Sequence, residues 1–283
     1  MAEPHQVSVV IPAFNEEAGI AGVVRGALAK HAWREVLVVD DGSTDQTAER
    51  AQTAGARLIR HPYNKGNGAA VKTGLREATG EVVLLMDADG QHDPEDMERL
   101  VARIGTYDMV IGARASTDQT VTRAVGNAVF RVLASWLTGR EIPDLTSGFR
   151  AAKRSMMLEI LHLLPNGFSY PTTSCLAFLK AGYNLVFEPI KARPRVGKSK
   201  IRLLRDGVRF VLIIFKIVTL YSPLKVFFPL AAGSLLLGTG YGLWNVYAFG
   251  KIPTGAALLI QFSVMVFLFG LIAEQIAASQ ERK

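Results

Sequence analysis

Three acidic clusters each follow a short apolar run, and one of them has a spacing with a specific chemical use. Asp87-Ala88-Asp89-Gly90-Gln91 follows the run 82–86. Two carboxylates one residue apart at the frayed end of a strand can face one hard divalent cation. Mg2+ or Mn2+ takes such oxygens together with waters and phosphate oxygens of a ligand. A cation held there would neutralise a departing diphosphate. Asp40-Asp41-Gly42-Ser43-Thr44-Asp45 follows 35–39, and Pro12-Ala13-Phe14-Asn15-Glu16-Glu17 follows 7–11. Singly, each has an ordinary explanation. Glu16 and Glu17 complement a helix start, and 40–45 caps a helix or makes a turn. Together they argue for one shared crevice.

Such carboxylates converge only if the preceding runs lie side by side. Short apolar runs at 7–11, 35–39, 57–60, 81–86 and 109–112 alternate with helical segments at about 16–31, 44–54, 67–78 and 94–104. That rhythm predicts an α/β fold, a mostly parallel sheet with helices on both faces. Sheets of this kind bind ligands beyond the carboxyl ends of their strands, where the acidic clusters stand. Pro12-Ala13-Phe14 after the first strand is not a G-x-G-x-x-G turn, which argues against a dinucleotide oxidoreductase.

The chain has 283 residues, 49% of them hydrophobic and 20% charged, which excludes collagen-like and disulfide-scaffold classes. A mean hydropathy of +0.21 is high for a soluble enzyme, and the excess is local. Residues 226–250 and 252–273 carry no charge. About 20 apolar residues cross a bilayer core, so both runs qualify as spans, joined by turn chemistry at 250–255. The formal net charge is +7, and ten of the cations lie between Lys191 and Lys225 against the single acid Asp206. Positive charge before the first span and at Arg282 and Lys283 predicts that both ends of the hairpin face the cytoplasm. The intervening segment reads as a basic amphipathic helix on an anionic inner leaflet, with a third span as the alternative. The expected domains are 1–200, a cytoplasmic catalytic domain; 201–223, the interfacial helix; and 224–283, a hairpin with spans about 226–249 and 254–275. No cleavable signal peptide is expected at the N-terminus. The single cysteine, Cys175, reads as a small buried hydrophobe in a reducing compartment.

With these motifs in this order, the chain resembles the family 2 glycosyltransferases of the GT-A fold. Within them it is most similar to the dolichyl-phosphate mannose synthase branch and bacterial polyprenyl-phosphate glycosyltransferases. The resemblance covers about residues 6–200. It runs through the three clusters, Asp144-Leu145-Thr146-Ser147-Gly148-Phe149-Arg150 and Gly197-Lys198-Ser199-Lys200. It implies a nucleotide-sugar pocket lined by Pro12, Phe14, Glu16, Val39 and Asp41, with Asp41 accepting from the base. It implies a metal, Mg2+ or Mn2+, on Asp87, Asp89 and Gln91, with Ala88 against the donor. Arg114 and Arg123 would meet phosphates of donor or acceptor, with Ser147 and Arg150 on the acceptor side. Lys200 would contact the donor diphosphate, and either Arg193 or Arg195 would join it. Asp89, Arg114, Arg123 and Lys200 would carry the catalytic charges.

The implied activity is inverting transfer of a hexose from a GDP-mannose or UDP-glucose type donor to a dolichyl or undecaprenyl phosphate. A phosphate acceptor is already an anion and needs no protein base. An acceptor hydroxyl on another lipid, diacylglycerol or ceramide, would need one, and Asp144 is the candidate. A non-catalytic nucleotide-sugar-binding membrane protein is the reading from outside enzymes. No nucleic-acid partner is expected, and a homo-oligomer is admitted. Three motifs keep two readings. Gly66-Asn67-Gly68 makes a tight helix entry or a phosphate loop. The cluster Arg150, Lys153, Arg154 starts a helix or marks the entry of an anionic lipid head. His92, next to Gln91, is a metal ligand or else a residue at the surface or behind the ligands, and no second His stands at zinc spacing.

Overall fold

The computed structural model describes residues 2–114, 131–132, 134–136, 138–167, 169–191 and 222–279. The chain divides into two compact units, Met1–Leu203 and Leu204–Lys283.

The first unit is built on a seven-stranded sheet. Its strands are β1 (Val7–Ala13), β2 (Glu35–Asp40), β3 (Arg57–Arg60), β4 (Val82–Leu85), β5 (Met109–Arg114), β6 (Arg150–Lys153) and β7 (Leu185–Ile190), in the order β3-β2-β1-β4-β6-β5-β7. The expected first five strands are present, and β1–β4 are parallel neighbours. β1 is buried along its whole length, as a strand covered on both faces must be. β6 and β7 have no counterpart in the sequence reading. β6 enters antiparallel between β4 and β5, and β7 pairs parallel with β5.

Helices cover the sheet where their apolar stripes allow. α1 (Ile20–Leu28) buries Ile20, Val23, Val24 and Ala27, the i, i+3, i+4, i+7 pattern of one helix face. α2 (Thr47–Thr53) follows β2. α3 (Asn67–Glu77) packs Ala70, Val71 and Leu75 into the interior. α4 (Pro94–Ala102) starts on Asp93, whose side chain accepts from the Glu95 N–H at 3.0 Å, with Pro94 in the first turn. α5 (Arg154–Glu159) and α6 (Tyr170–Lys180) complete this unit.

The second unit is a hairpin of α7 (Pro223–Phe249) and α8 (Thr254–Ser279). The helices have 27 and 26 residues, and their most apolar windows have mean hydropathies of 1.5 and 2.4. At ~1.5 Å per residue, either is long enough for a ~30 Å bilayer core. Most of their surface is open in the isolated chain, as expected of helices solvated by lipid. Small residues bring the two together: a Cβ on Gly238 would lie 2.9 Å from Leu259 Cβ, and Ser263 Oγ donates to the Ala231 carbonyl at 2.8 Å. At the other end, Glu274 accepts from the Leu224 N–H at 3.0 Å, in the first turn of α7. Nearly all of the expected 201–223 helix lies outside the described residues, as do Arg123, Arg193, Arg195, Lys198 and Lys200.

Candidate active site

The acidic clusters sit at the carboxyl ends of β1, β2 and β4. Two of these loops are laced together. The Asn15 N–H donates to Ser43 Oγ at 2.9 Å, the Glu16 N–H to Thr47 Oγ1 at 2.8 Å, and the Thr44 N–H to Asn15 Oδ1 at 2.9 Å. Asn15 adopts φ 51°, a left-handed conformation Asn tolerates, which turns the chain back across the β2 loop. Pro12 and Val39 are register partners on adjacent strands and both are buried, while Phe14 and Glu16 are half-buried at the rim.

Asp41 is 2% exposed and already has three donors. Its Oδ1 accepts from His61 Nδ1 at 2.7 Å and the Lys65 N–H at 2.9 Å, and its Oδ2 accepts from the Gly66 N–H at 2.7 Å. A carboxylate offers about four lone-pair positions, so one is left for a ligand. The glycines after it are explained by another loop. The N–H groups of Gly68 and Ala69 donate to the carbonyls of Gly167 and Asn166 at 3.1 and 2.8 Å. A Cβ on Gly68 would lie 2.0 Å from the Pro165 carbonyl oxygen. These amides at the start of α3 are taken by the 165–167 backbone, which favours the tight entry over the phosphate loop.

Beyond β4 stand Asp87, Ala88, Asp89 and Gln91. Asp89 is buried, and its Oδ1 accepts from the Gln91 N–H at 3.1 Å. Asp87 is deeply surrounded by protein, yet its side chain is 38% open, as on the floor of a crevice. Among the described residues only its Oδ2 meets a donor, His92 Nε2 at 3.3 Å. Burial alone would raise the Asp87 carboxyl. The hydrogen bond to His92 and the positive charges of Arg114 and Arg150 outweigh it and hold the group below its usual range. Among the described residues no group of three His, Cys, Asp or Glu could hold a metal alone. A pair of hard carboxylate oxygens with an open side fits Mg2+ or Mn2+, which complete their shells with water and phosphate.

Arg114, at the end of β5, turns towards this crevice. Its Nε donates to Asp144 Oδ2 at 2.8 Å and its Nη2 to Thr146 Oγ1 at 2.9 Å. The charges of Asp87 and Asp89 also act on it. Asp144 is buried, and its Oδ1 accepts from the N–H groups of Thr146 and Ser147 at 3.0 and 3.1 Å. Burial would raise the Asp144 carboxyl, but the Arg114 hydrogen bond and charge lower it. It is therefore held ionised and fully engaged.

The acceptor-side assignment of Arg150 and Ser147 is corrected here, and two of the open readings are decided. Arg150 is 0% exposed, and its guanidinium donates to the carbonyls of Ser147 and Pro171 and to Ser174 Oγ. It cannot meet an acceptor phosphate from inside the core. Ser147 is likewise fully buried. The cluster around Arg150 is no lipid mouth: Lys153 Nζ pairs with Asp108 at 2.7 Å, and Arg154 donates to the Leu75 and Arg76 carbonyls at the end of α3. His92 is not a surface residue. Its side chain is 3% exposed, and its ring stacks on Phe149 with centroids 4.7 Å apart.

The chain matches two family descriptions, Glycosyl transferase family 2 over residues 8–161 and GtrB C-terminal hairpin over residues 222–279. It is 28% identical to glycosyltransferase AglJ of Haloferax volcanii, over 98% of this chain and 95% of that one. It is 29% identical to undecaprenyl-phosphate 4-deoxy-4-formamido-L-arabinose transferase of Pseudomonas aeruginosa, over 94% of this chain and 81% of that protein. In fold it is similar to glucosyl-3-phosphoglycerate synthase of Mycobacterium tuberculosis, solved with Mn2+ and UDP-glucose. That likeness has a TM-score of 0.61 at 24% identity and covers 75% of this chain and 78% of that one. The sheet with its antiparallel insertion is thus the GT-A arrangement. Since the first match takes in more than half of the sequence, the chain belongs to glycosyl transferase family 2.

Proposed function

We propose that the protein transfers a hexose from a nucleoside-diphosphate sugar to a polyprenyl phosphate, with inversion at the anomeric carbon. The carrying observation is that one chain holds both the family 2 domain and, after it, a hairpin of two long apolar helices. Relatives sharing that whole length include undecaprenyl-phosphate sugar transferases. A polyprenyl chain leaves a bilayer at a cost of about 0.8 kcal/mol per CH2, so the enzyme must work where the lipid is. The hairpin would keep it there, with both ends of the chain on the cytoplasmic side.

In this reading an acceptor phosphate oxygen forms the new bond to the anomeric carbon. The bond from that carbon to the donor diphosphate breaks, and its electron pair leaves on the diphosphate. Asp87, Asp89 and Gln91 would hold Mg2+ or Mn2+, which supplies charge neutralisation for the diphosphate. Pro12, Phe14, Glu16, Val39 and the remaining lone pair of Asp41 would line the nucleotide, with Ala88 against the donor. Arg114 would bring its positive charge to the two anions, with Arg123, Arg195 and Lys200 as further cations.

Asp144 argues for phosphate over hydroxyl. A general base works best with a pKa near the operating pH. Asp144 is held low and bonded on both oxygens, so it is a poor base.

The test is product mass from purified protein in detergent with a short polyprenyl phosphate, Mg2+ or Mn2+, and a panel of UDP- and GDP-sugars. Parallel reactions contain the free polyprenol and diacylglycerol. A phosphate-linked sugar lipid from one donor, with no product from the alcohols, is expected. Equal turnover of an alcohol acceptor would overturn the phosphate reading.

A further inference from the structure

Asp87 is an unusual carboxylate because its two neighbours are themselves held by buried groups that otherwise have no evident purpose. On one side stands His92. Its Nε2 lies against Asp87 Oδ2, and its ring is stacked on Phe149. His92 Nδ1 is buried and has no partner among the described residues. Burying an imidazole with one unpaired nitrogen is costly, and its polar contact is with Asp87.

On the other side lies the backbone of Gly148. A Cβ there would stand 2.7 and 2.8 Å from the two Asp87 oxygens. The carbonyls on this stretch are tied down in succession. Tyr170 Oη donates to the Gly148 carbonyl at 3.2 Å, and Arg150 Nη2 donates to the Ser147 carbonyl. Arg150 is itself fixed by the Pro171 carbonyl at 2.9 Å and Ser174 Oγ at 2.7 Å. A fully buried guanidinium bonded to carbonyls rather than to a carboxylate is an expensive fastening, and Arg150 Nε has no partner among the described residues.

We infer that His92, backed by Phe149, and Gly148, held by Tyr170 and Arg150, form a two-sided clamp that fixes the Asp87 carboxylate for a divalent cation. These are positioning residues, acting through Asp87. The inference rests on the metal-assisted reading above. Its physical content is preorganisation: a half-open carboxylate turns freely about its last torsion unless its flanks are set, and groups that orient metal ligands typically govern affinity.

The experiment is Mn2+ binding to purified full-length protein in detergent, read as free Mn2+ by electron paramagnetic resonance, alone and with UDP or GDP. Melting temperature is recorded for each variant. Gly148→Ala puts a methyl group into the carboxylate, and only a side-chain end has to move. His92→Phe keeps the stack on Phe149 and removes the contact to Asp87. Tyr170→Phe removes one fastening. Asp87→Asn is the reference. Gly148→Ala and His92→Phe are expected to weaken Mn2+ binding by about 10-fold or more. His92→Phe is expected to do so with an unchanged or higher melting temperature, since it also removes the unpaired nitrogen. Tyr170→Phe is expected to have a smaller effect in the same direction. If Asp87→Asn loses Mn2+ while Gly148→Ala and His92→Phe bind it like the parent, the clamp is overturned and the metal reading stands. If Gly148→Ala does not fold, His92→Phe alone decides. If Asp87→Asn binds Mn2+ like the parent, the metal reading falls and the clamp with it.

Discussion

Asp41 and Asp87 occupy equivalent places and face opposite fates. Each follows an apolar parallel strand, β2 or β4, and each belongs to an acidic cluster at the same end of the sheet. Asp41 is closed in by His61, Lys65 and Gly66, with three donors on its two oxygens. Asp87 meets one donor among the described residues and keeps 38% of its side chain open. The fold uses the first carboxylate to fasten the loop into α3 and leaves the second available. A strand end therefore gives a carboxylate its location, and its remaining hydrogen-bonding capacity decides what it can do there.

Conservative amide variants sharpen this contrast most. Asp87→Asn is expected to lower turnover by roughly 10^3-fold, because a cation on a leaving diphosphate stabilises the transition state by several kcal/mol. Its melting temperature should stay near that of the parent. Asp41→Asn is expected to lower stability by about 2 kcal/mol, since one oxygen becomes an NH2 facing donors already in place. Activity with saturating donor and thermal unfolding in detergent measure both. Equal losses of stability in the two variants would erase the distinction.

A second pair of variants probes the loop that Asp41 fastens. Gly68→Ala would place its methyl group against the Pro165 carbonyl, and backbone must move to admit it. A loss of about 1–3 kcal/mol is expected. Gly167 lies in the facing loop, but a Cβ there would meet nothing within 4 Å among the described residues. Gly167→Ala should therefore stay within about 0.5 kcal/mol of the parent. Chemical or thermal unfolding of both, side by side, checks whether close approach is what Gly68 provides. A tolerated Gly68→Ala would return these amides to the phosphate reading.

Much of this architecture is legible from the sequence because its causes are local. The first five strands and four helices are periodic runs with caps and turns at their ends, and the hairpin is two long uncharged stretches. The clusters at 12–17, 40–45 and 87–91 lie where a parallel sheet puts ligands. What escaped has non-local causes. β6 reads Arg-Ala-Ala-Lys, which no period marks as a strand. It becomes one because β4 and β5 present edges on both sides of it. Arg150 looks like a solvated cation until the fold supplies Ser147, Pro171 and Ser174 around it. His92 looks isolated because Phe149, its stacking partner, is distant in the chain. The open capacity of Asp87 and the largely occupied oxygens of Asp41 are equally invisible, since both read as Asp after an apolar run.

A smaller loss than that at Asp41 is expected at the opposite end of the sheet, where a carboxylate has four donors and lies far from the crevice. Glu35 opens β2 and accepts from Ser8 Oγ, the Thr79 N–H, Thr79 Oγ1 and Arg57 Nη1, each at 2.8 Å. Burial would raise its carboxyl. The Arg57 hydrogen bond, with those from Thr79 and Ser8, outweighs that and lowers it from 4.5 to about 2. A pKa lower in the folded chain than in the unfolded one adds stability above the unfolded value. That stability is lost as the pH falls from about 4.5 to about 2. Arg57 is half-exposed, and solvent screens its charge, so about 1 kcal/mol is expected at neutral pH rather than the full shift. Glu35→Gln should melt lower than the parent by that amount at pH 7. The gap should narrow steadily below pH ~4.5, where the parent's carboxyl is itself protonated on unfolding. Unfolding of both proteins across that range is the measurement. A gap that stays constant down to pH ~2 would mean the hydrogen bonds to Glu35 act through shape and not through its charge.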